Sequence, residues 1–366
     1  MPAVVLASSV LCAAGRGPEQ LWASVRAGIA RIGSSRVMDR NFEPIRMGLV
    51  PEDALEPELL PELESLPLPS RARRMLRLGA PALRTLLESA GPSPVRLFLG
   101  LPQLPVAEAQ WLKGFALHLG KLAGMQIDSA NSRVVPSGRA AALGALELAL
   151  DALECDPARP VIVGGVDTFL DSRLLAALDA EGRILSSRVM DGFIPGEGAG
   201  FLVLADATLT TSFAKLPDEA QSETTVTVEA AASTSDPGHR SGTEPARGEG
   251  LAQAMDLLRN RLRNATEPVG TTFAGLNGES FDAKAWGVAR LRHSDFFAPA
   301  MALEHPADCF GDAGAATGAI LLSLASKALA AGHRTGPALV WAASDGESRA
   351  CALMSRSRTF GRAGDM

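Results

Sequence analysis

The stretch "MDGFIPGEGAGFLVLAD", residues 190–206, restricts the possible fold more than any other part of the sequence. Four of its residues are glycines, which permit tight backbone turns and close approach of neighbouring chain. Its last seven residues, "GFLVLAD" (200–206), form the apolar run of a buried strand. Glu197 is the only charged residue among the glycines. We expect it to bridge backbone N–H groups at the domain centre, which is a structural role.

On both sides of this stretch, strand-like runs alternate with helical ones. In the N-terminal half the pattern predicts strands over 3–11, 96–102 and 159–170 and helices over 17–30 and 138–154. Such alternation indicates a parallel sheet with helices on both faces. The C-terminal half repeats this order, with strands predicted over 224–233, 271–278 and 338–344 and a helix over 250–265. No sequence repeat is visible, so the duplication is inferred from element order alone.

The composition provides for a large core and excludes two kinds of partner. Of the 366 residues 46% are hydrophobic, while the net charge is −6, which argues against nucleic acid or an anionic membrane as the main partner. The basic stretch "RARRMLRLG" (71–79) predicts a solvated helix face, with a docking patch for an acidic partner as the alternative. Residues 51–69, rich in proline and acids, predict a surface excursion outside the core.

The four cysteines and five histidines are scattered along the chain, without CxxC or metal-ligand spacing. We therefore predict neither a disulfide framework nor a metal site, and no cofactor. The apolar N-terminal run precedes its first positive residue, Arg16, so it is interpreted as a buried strand rather than a signal peptide. No apolar run reaches the roughly 18 residues of a membrane span. The expected location is the cytoplasm.

The stretch of residues 190–206 resembles the "RDGFvxGEGAGxLVLE" block of the β-ketoacyl-ACP synthase family, within the thiolase-fold superfamily. "VIVGGVDTFL" (161–170), "GDAGAATGAI" (311–320) and "ASDGESRACALM" (343–354) resemble further blocks of that family in the same order. The resemblance implies an α/β, thiolase-like fold. It has two pseudo-symmetric βαβαβαββ halves, residues 1–206 and 207–366, in a five-layer αβαβα arrangement.

The chemistry of that family needs a cysteine on a strained turn at the start of a buried helix, where it attacks an acyl thioester. The family's "ACxSG" motif corresponds to "VVPSG" (134–138) here, so Val135 takes the nucleophile position. A valine side chain cannot form a thioester. Ser137 and Cys351 are substitute candidates, although Ser137 has no evident base.

Two histidines complete the family's site by polarising a malonyl thioester carbonyl. The motif of the first corresponds to "GLNGES" (275–280), which places Asn277 there; the second position falls on Gly311. Asn277 can donate a hydrogen bond but cannot exchange a proton at neutral pH. His305 and Cys309 are a further substitute pair, which would imitate a thiol–imidazole couple.

Charge is also expected where the family has an apolar tunnel, because "DGESR" (345–349) replaces the "GFGG" turn. These losses predict a catalytically inactive ketosynthase-like protein that acts by binding a protein partner. The resemblance suggests an adaptor or chaperone of a bacterial type VI secretion effector. The partner would be an effector, a carrier protein or a partner synthase.

A homo- or heterodimer is expected to form through the strand "VIVGGVDTFL" and the helix after residue 137. The alternative function is enzymatic: an active β-ketoacyl-ACP synthase or acyltransferase. A chain-length-factor-like subunit of fatty acid or polyketide biosynthesis is the other form of this alternative.

Overall fold

A computed structural model describes residues 2–91, 94–207, 224–263 and 267–358. The elements of the N-terminal half are β1 (Ala3–Cys12), β2 (Gly15–Arg16), α1 (Pro18–Arg26), β3 (Gly33–Met38), β4 (Pro44–Met47), α2 (Pro61–Glu64), α3 (Ser70–Arg84), β5 (Arg96–Gly100), α4 (Phe115–Ala123), β6 (Arg133–Val135), α5 (Ala141–Cys155), β7 (Val161–Thr168), α6 (Ser172–Ala180) and β8 (Glu197–Asp206). Those of the C-terminal half are β9 (Thr224–Ser235), α7 (Glu249–Arg261), β10 (Val269–Ala274), α8 (Ser280–Arg292), β11 (Phe297–Glu304), α9 (Ala307–Phe310), α10 (Thr317–Ala330), β12 (Ala338–Ala343) and β13 (Ser348–Arg358).

The two halves of the main sheet have the same strand order. The strand order across the main sheet is β11-β10-β12-β13-β9-β1-β8-β7-β5-β6. The strands of this order are numbered 1 to 5 along the chain within each half. Counted from the outer edge to the middle of the sheet, both halves then have the order 3-2-4-5-1. In each half the second strand pairs in parallel with both neighbours, and the last two pairings are antiparallel. A short antiparallel pairing of β1 with β9 joins the halves.

The sheet is therefore mixed, whereas the alternation of strands and helices indicated a parallel one. Strands buried on both faces have uninterrupted apolar sequences whether their neighbours run parallel or antiparallel, so the pattern does not reveal direction. The predicted boundary after residue 206 lies next to residues 208–223, which are outside the described residues. The division into 1–206 and 207–366 stays a prediction.

Helices α5 and α10 lie between the two halves of the sheet, and most of their alanines and leucines are buried there. Helices α3 and α4 cover the outer face of the N-terminal half, and α7 and α8 cover that of the C-terminal half. These layers confirm the thiolase-like α/β fold. In the described residues, no helix is long and apolar enough to cross a membrane.

The acidic segment 51–69 and the basic stretch 71–79 bind each other. Two expectations are thereby wrong: the segment is not a mere surface excursion, and the arginines are not a solvated face. Three leucines of the segment are buried against α3: Leu55, Leu59 and Leu63. The ion pairs between the segment and α3 are Arg73–Glu64, Arg74–Glu52, Arg77–Glu52 and Arg84–Glu56. The acidic partner of the basic helix is therefore within the same chain.

Strand β7, expected at a dimer interface, lies inside the sheet between β5 and β8, and all eight of its residues are buried. Its close packing depends on small residues: a Cβ added to Gly165 would lie 2.3 Å from the carbonyl oxygen of Ala315. Because both edges of β7 are already paired, it cannot pair with a second subunit. The described edge of this half of the sheet is β6, next to β5.

Candidate functional site

The position assigned to the family's nucleophile does lie just before a buried helix. Strand β6 ends at Val135, whose carbonyl oxygen accepts a hydrogen bond from the Leu101 N–H at 2.9 Å. Gly138, with φ of +77°, begins a turn of 3-10 helix that leads into α5. The half-buried Val135 packs against the main apolar core beside Gly144 of α5. Its side chain contributes packing at this point.

The charged side chain at the start of this helix is Arg139, which is only 4% exposed. Its Nε donates a hydrogen bond to the Asp312 carboxylate, and its Nη1 donates one to Asp345 at 2.7 Å. Burial opposes the charge, but the two carboxylates raise the pKa of Arg139 well above its ordinary value. The guanidinium is therefore permanently charged and held by two anions.

A second arginine completes a network around the same carboxylates. Arg183 donates from Nε and Nη2 to the two oxygens of Glu279, both at 2.9 Å, and from Nη2 to Asp345 at 2.8 Å. The Asn277 side-chain amide donates to Asp312 at 2.9 Å and to Glu279 at 3.1 Å. We call these six residues the Arg139 cluster: Arg139, Arg183, Asn277, Glu279, Asp312 and Asp345.

The Arg139 cluster joins the two halves of the chain. Its two arginines come from residues before 206, and its three carboxylates come from residues after 224. Both guanidinium groups lie over the ring of the buried Phe193, at 5.2 and 5.4 Å from its centroid. Phe193 belongs to the "DGFIPG" part of residues 190–206. This stretch therefore contacts both arginines of the cluster through a cation–π interaction with its aromatic ring.

The environment of the cluster shifts the pKa values of two nearby acids in opposite directions. Burial opposes ionisation of Asp345, but Arg139 and Arg183 hold its pKa well below the usual range. Asp282, in the first turn of α8, is buried too, and burial raises its pKa from 3.8 to about 6, against the opposing effect of Arg139. Asp345 is thus fixed as an anion.

Of the three predicted positions, only Asn277 has its side chain in the cluster. Gly311 has none to contribute: its φ is +78°, and an added Cβ would lie 2.9 Å from the Ile194 carbonyl oxygen. The side chain that reaches the cluster is that of its neighbour, Asp312. The assignment of the second histidine position to Gly311 stays a prediction.

The substitute nucleophiles are not activated. His305 pairs through Nδ1 with Asp308 at 2.9 Å rather than with Cys309. Burial, followed by Asp308 and Glu304, raises the pKa of the Cys309 thiol. Burial in β13 raises that of Cys351. The contacts therefore do not support a thiol–imidazole couple, because the His305 imidazole pairs with Asp308 and burial disfavours the thiolate of Cys309.

Ser137 lies at the turn before α5, and its carbonyl oxygen accepts a hydrogen bond from the Ser344 hydroxyl. The Ser344 hydroxyl also accepts a hydrogen bond from the Ala140 N–H at 3.0 Å. No histidine belongs to the Arg139 cluster beside it.

A cavity of about 340 Å³ lies next to the cluster. Arg71, Gln103, Gly138, Arg139 and Asp345 are among its lining residues, so its wall is charged on both sides. This lining agrees with the expectation that charge replaces an apolar tunnel. In the described ranges, no group of three or more His, Cys, Asp or Glu side chains is arranged to hold a metal ion.

A second buried charge centre lies on the other side of β7 and confirms the structural role predicted for Glu197. The fully buried Glu197 accepts hydrogen bonds from the Val50 N–H at 2.8 Å, from the Thr168 hydroxyl at 2.7 Å and from two nitrogens of Arg74 at 2.6 Å. We call these four residues the Glu197 cluster. It ties the excursion after β4 to α3 and to the end of β7.

Comparisons with known proteins agree with this fold. The family described as "Beta-ketoacyl synthase, N-terminal domain" matches residues 129–209, which include the start of α5 and residues 190–206. No curated protein matches the chain.

Solved ketosynthases match over almost the whole chain. The ketosynthase from module 6 of the bacillaene synthase of Bacillus subtilis 168 is 14% identical, with a TM-score of 0.72, over 98% of this chain and 72% of that one. An oxazolomycin ketosynthase domain from Streptomyces albus JA3453 is 17% identical, with a TM-score of 0.71, over 98% and 75%. A type II polyketide ketosynthase, bound to a hexaketide and in complex with its acyl-carrier protein, is 15% identical, with a TM-score of 0.73, over 96% and 98%.

The fold is therefore the thiolase-like fold of the ketosynthases. Residues 129–209 are, in addition, similar to the N-terminal domain of the β-ketoacyl synthases.

Sequence reasoning missed Arg139, Arg183, Glu279 and Asp312. One signal for Arg139 was available: it is the only charged residue in "VVPSGRAAALGAL", just before a helix whose first six residues carry no charge. A buried charge needs a partner, so such a residue indicates a carboxylate elsewhere in the chain. The sequence does not indicate which carboxylate.

Proposed function

We propose that this protein is a catalytically inactive ketosynthase-like protein that acts by binding a protein partner. One observation supports the proposal above the others. Around Asn277, which the resemblance aligns with one of the family's histidines, the Arg139 cluster has two arginines, three carboxylates and an amide, which hydrogen-bond one another.

Each member of the cluster lacks a property that condensation needs. Condensation requires a nucleophile that can leave as a thiolate, and groups that polarise a thioester carbonyl. The arginines do not give up a proton at neutral pH, and Asn277 has none to exchange. Asp345 remains ionised beside its two arginines, so it cannot serve as an acid. Ion pairing has replaced the proton-transfer groups.

The test combines a chloroacetyl acyl-pantetheine probe with turnover of malonyl-carrier protein. Cys155 is the exposed cysteine among the four, and the other three are buried. We expect the probe to label the wild-type chain at Cys155 alone and to leave the Cys155→Ser variant unlabelled. Neither form should release carbon dioxide from malonyl-carrier protein.

An active ketosynthase, assayed in parallel, verifies the probe and the carrier. Labelling of the Cys155→Ser variant at Ser137, Cys309 or Cys351, accompanied by turnover, would contradict the proposal and favour the enzymatic alternative. The adjacent cavity of about 340 Å³ is the observation that favours that alternative. A Ser137→Ala variant tests it directly, because acyl transfer through the hydroxyl would end with this change.

The partner's identity belongs to the same proposal. A related type II ketosynthase was solved in complex with an acyl-carrier protein, which supports a protein partner in general terms.

The free edge of β6 is the surface we propose for a homo- or heterodimer, because an unpaired strand edge accepts a second strand. Sedimentation of the purified chain distinguishes the two: a tight homodimer would argue against an obligate partner synthase. The adaptor role for a secreted effector stays a prediction.

A further inference from the structure

The cavity beside the Arg139 cluster has two unlike walls. One wall is apolar and is formed by the loop after β5 and by the chain that leads from β7 into α6: Pro102, Leu104, Pro105, Phe169 and Leu174. The other wall is charged, and its members are Arg71, Arg139, Asp167 and Asp345. The cavity volume of about 340 Å³ is within the range of ligand pockets, about 300–1,000 Å³. Such a pocket suits an organic molecule with one apolar and one polar end.

The two carboxylates of the charged wall already have their hydrogen bonds. Asp167, which is 2% exposed, accepts from Nη2 of Arg71 at 2.7 Å and from two backbone N–H groups at 2.8 and 3.0 Å. Asp345 accepts from Nη1 of Arg139 at 2.7 Å and from two nitrogens of Arg183 at 2.8 and 3.0 Å. Each acid therefore has three donors around it and does not require a cationic ligand.

The two arginines of the charged wall, in contrast, have N–H groups without partners. Nε of Arg71 and Nη2 of Arg139 are buried, and neither forms a hydrogen bond with any described residue. A buried donor without an acceptor has lost its hydration without compensation. An acceptor oxygen in the cavity is what these guanidinium groups lack. The unfilled hydrogen-bonding capacity here is therefore that of donors, which favours a ligand with acceptor oxygens.

The charges of the cavity and the adjoining cluster balance, so the ligand is selected at short range. Four arginines are matched by four carboxylates: Arg71, Arg139, Arg183 and Arg240 by Asp167, Glu279, Asp312 and Asp345. A carboxylate suits such a site, because its two oxygens accept charge-assisted hydrogen bonds from guanidinium groups while adding a single charge. A phosphate dianion would add twice that charge and has no carbon chain to place against the apolar wall.

We propose that this cavity binds a small organic monocarboxylate, with the carboxylate at Arg71 and Arg139 and the carbon chain against Leu104, Phe169 and Leu174. The inference goes beyond the proposed binding of a protein partner and does not depend on it. The ligand is a free acid held by hydrogen bonds and apolar contact, so its binding requires no thiol and no covalent step.

The test is a saturation-transfer NMR titration of the full chain with hexanoate. Hexanamide, hexylamine and inorganic phosphate are titrated in parallel. We expect hexanoate to bind about tenfold more tightly than each of the other three, because it alone combines an anionic acceptor with a carbon chain. Absence of hexanoate binding would overturn the proposal. Equal or tighter binding of hexanamide or hexylamine would overturn the selection by charge, and tighter binding of phosphate would overturn the choice of an organic acid.

A variant on the charged wall locates the carboxylate. Arg71→Gln removes one guanidinium and should weaken hexanoate binding about tenfold or more, as expected for loss of a charged hydrogen bond. Arg290→Gln, which changes an exposed arginine of α8, is the matched control and should leave the affinity unchanged. An unchanged affinity of folded Arg71→Gln would contradict the proposed position of the carboxylate.

A second pair of variants decides the matter if Arg71→Gln does not fold, since Arg71 also pairs with Asp167. Leu104 is half-buried on the apolar wall, and Leu104→Glu and Leu104→Gln introduce side chains of equal size that differ by one negative charge. Leu104→Glu should bind hexanoate about tenfold more weakly than Leu104→Gln. Equal affinities would place the ligand outside this cavity. Malonyl turnover is measured separately, so failure of carboxylate binding and failure of the inactive-site proposal are distinguishable.

Discussion

Two buried charge clusters lie on either side of the strand β7, and they differ in what they connect. The Glu197 cluster lies entirely within residues 1–206, where one carboxylate collects donors from α3, β7 and the chain after β4. The Arg139 cluster connects arginines of the first half to carboxylates of the second. The same kinds of side chain therefore hold one half together in the first case and the two halves to each other in the second.

This difference concerns the boundary between the two halves. Charged residues of both halves pair there, and the pairing offsets the cost of burying them, although Nη2 of Arg139 has no hydrogen-bond partner among the described residues. The predictions below test whether the two clusters differ in strength as their contacts suggest.

The largest effect is expected for Arg139→Met. The change leaves Asp312 and Asp345 without their shared cation while Glu279 remains nearby, and breaking a buried pair on one side costs about 4 kcal/mol. Urea unfolding measures the loss. Arg290→Met, an exposed arginine on α8, is the matched control and should change stability by about 0.5 kcal/mol at most. A loss under about 1 kcal/mol for Arg139→Met would mean that water, rather than Arg139, stabilises these carboxylates.

A smaller loss, about 3 kcal/mol, is expected for Glu197→Gln. The amide oxygen of glutamine can still accept from the Val50 N–H, and Arg74 keeps its second partner, Glu52. The same unfolding measurement applies. If Glu197→Gln proved more damaging than Arg139→Met, the cluster within one half would be the stronger one, contrary to the comparison above.

Asp282→Asn should stabilise the protein by up to about 2 kcal/mol above pH 6 and have little effect below pH 4. Burial raises the pKa of Asp282 from 3.8 to about 6, so the folded state binds its proton more tightly than the unfolded chain. The contribution of Asp282 to the free energy of unfolding therefore falls as pH rises from about 4 to 6. Asparagine does not ionise, so the variant does not lose stability in this way. Unfolding measured from pH 4 to 8 gives the profile.

Asp345→Asn is the control of opposite sign, because the pKa of Asp345 is held below its usual range. Its contribution is present near neutral pH and is lost as pH falls into the acid range. This variant should be less stable than the wild type at pH 7. Equal profiles for the two variants would show that these acids share one environment, which the contacts with Arg139 and Arg183 argue against.

The smallest effect is expected for Glu52→Ala, about 0.5 kcal/mol or less. Glu52 pairs with Arg74 and Arg77 at the solvent-exposed side of the Glu197 cluster, and its side chain is 65% exposed. Added salt should reduce this small effect further. If the loss of stability came near that of Glu197→Gln, the contact between segment 51–69 and α3 would depend on the exposed ion pairs of Glu52 rather than on the buried leucines.

The sequence predicted the elements that have long apolar runs. The strand expected over 3–11 is β1, and the helices expected over 138–154 and 250–265 correspond to α5 and α7 within a few residues. Strand 338–344 was expected to be the last, but β13 follows it. The sequence of β13 begins "SRACALM", so its apolar run is preceded by Arg349. This arginine is buried in the strand, whereas a charged residue normally indicates an exposed segment.

Prediction of the site was less complete, because it depended on aligning one motif at a time. Asn277 lies in the cluster, whereas Gly311 is one residue before Asp312, whose carboxylate does. Arg139 and Arg183 were missed since neither belongs to a motif of the reaction. A residue that replaces catalysis with ion pairing has no counterpart in the active family, so resemblance gives no indication of it.

The sequence alone determined the layered α/β class, because glycine spacing and apolar runs act locally. That Val135 stands in the place of a nucleophile stays a prediction. Only the tertiary structure decided which charges meet. Arg139 and Asp312 are 173 residues apart, and the acidic segment 51–69 binds α3 rather than a partner. Pairing of buried charges depends on distance in space and on exclusion of water, and neither quantity is present in a linear sequence.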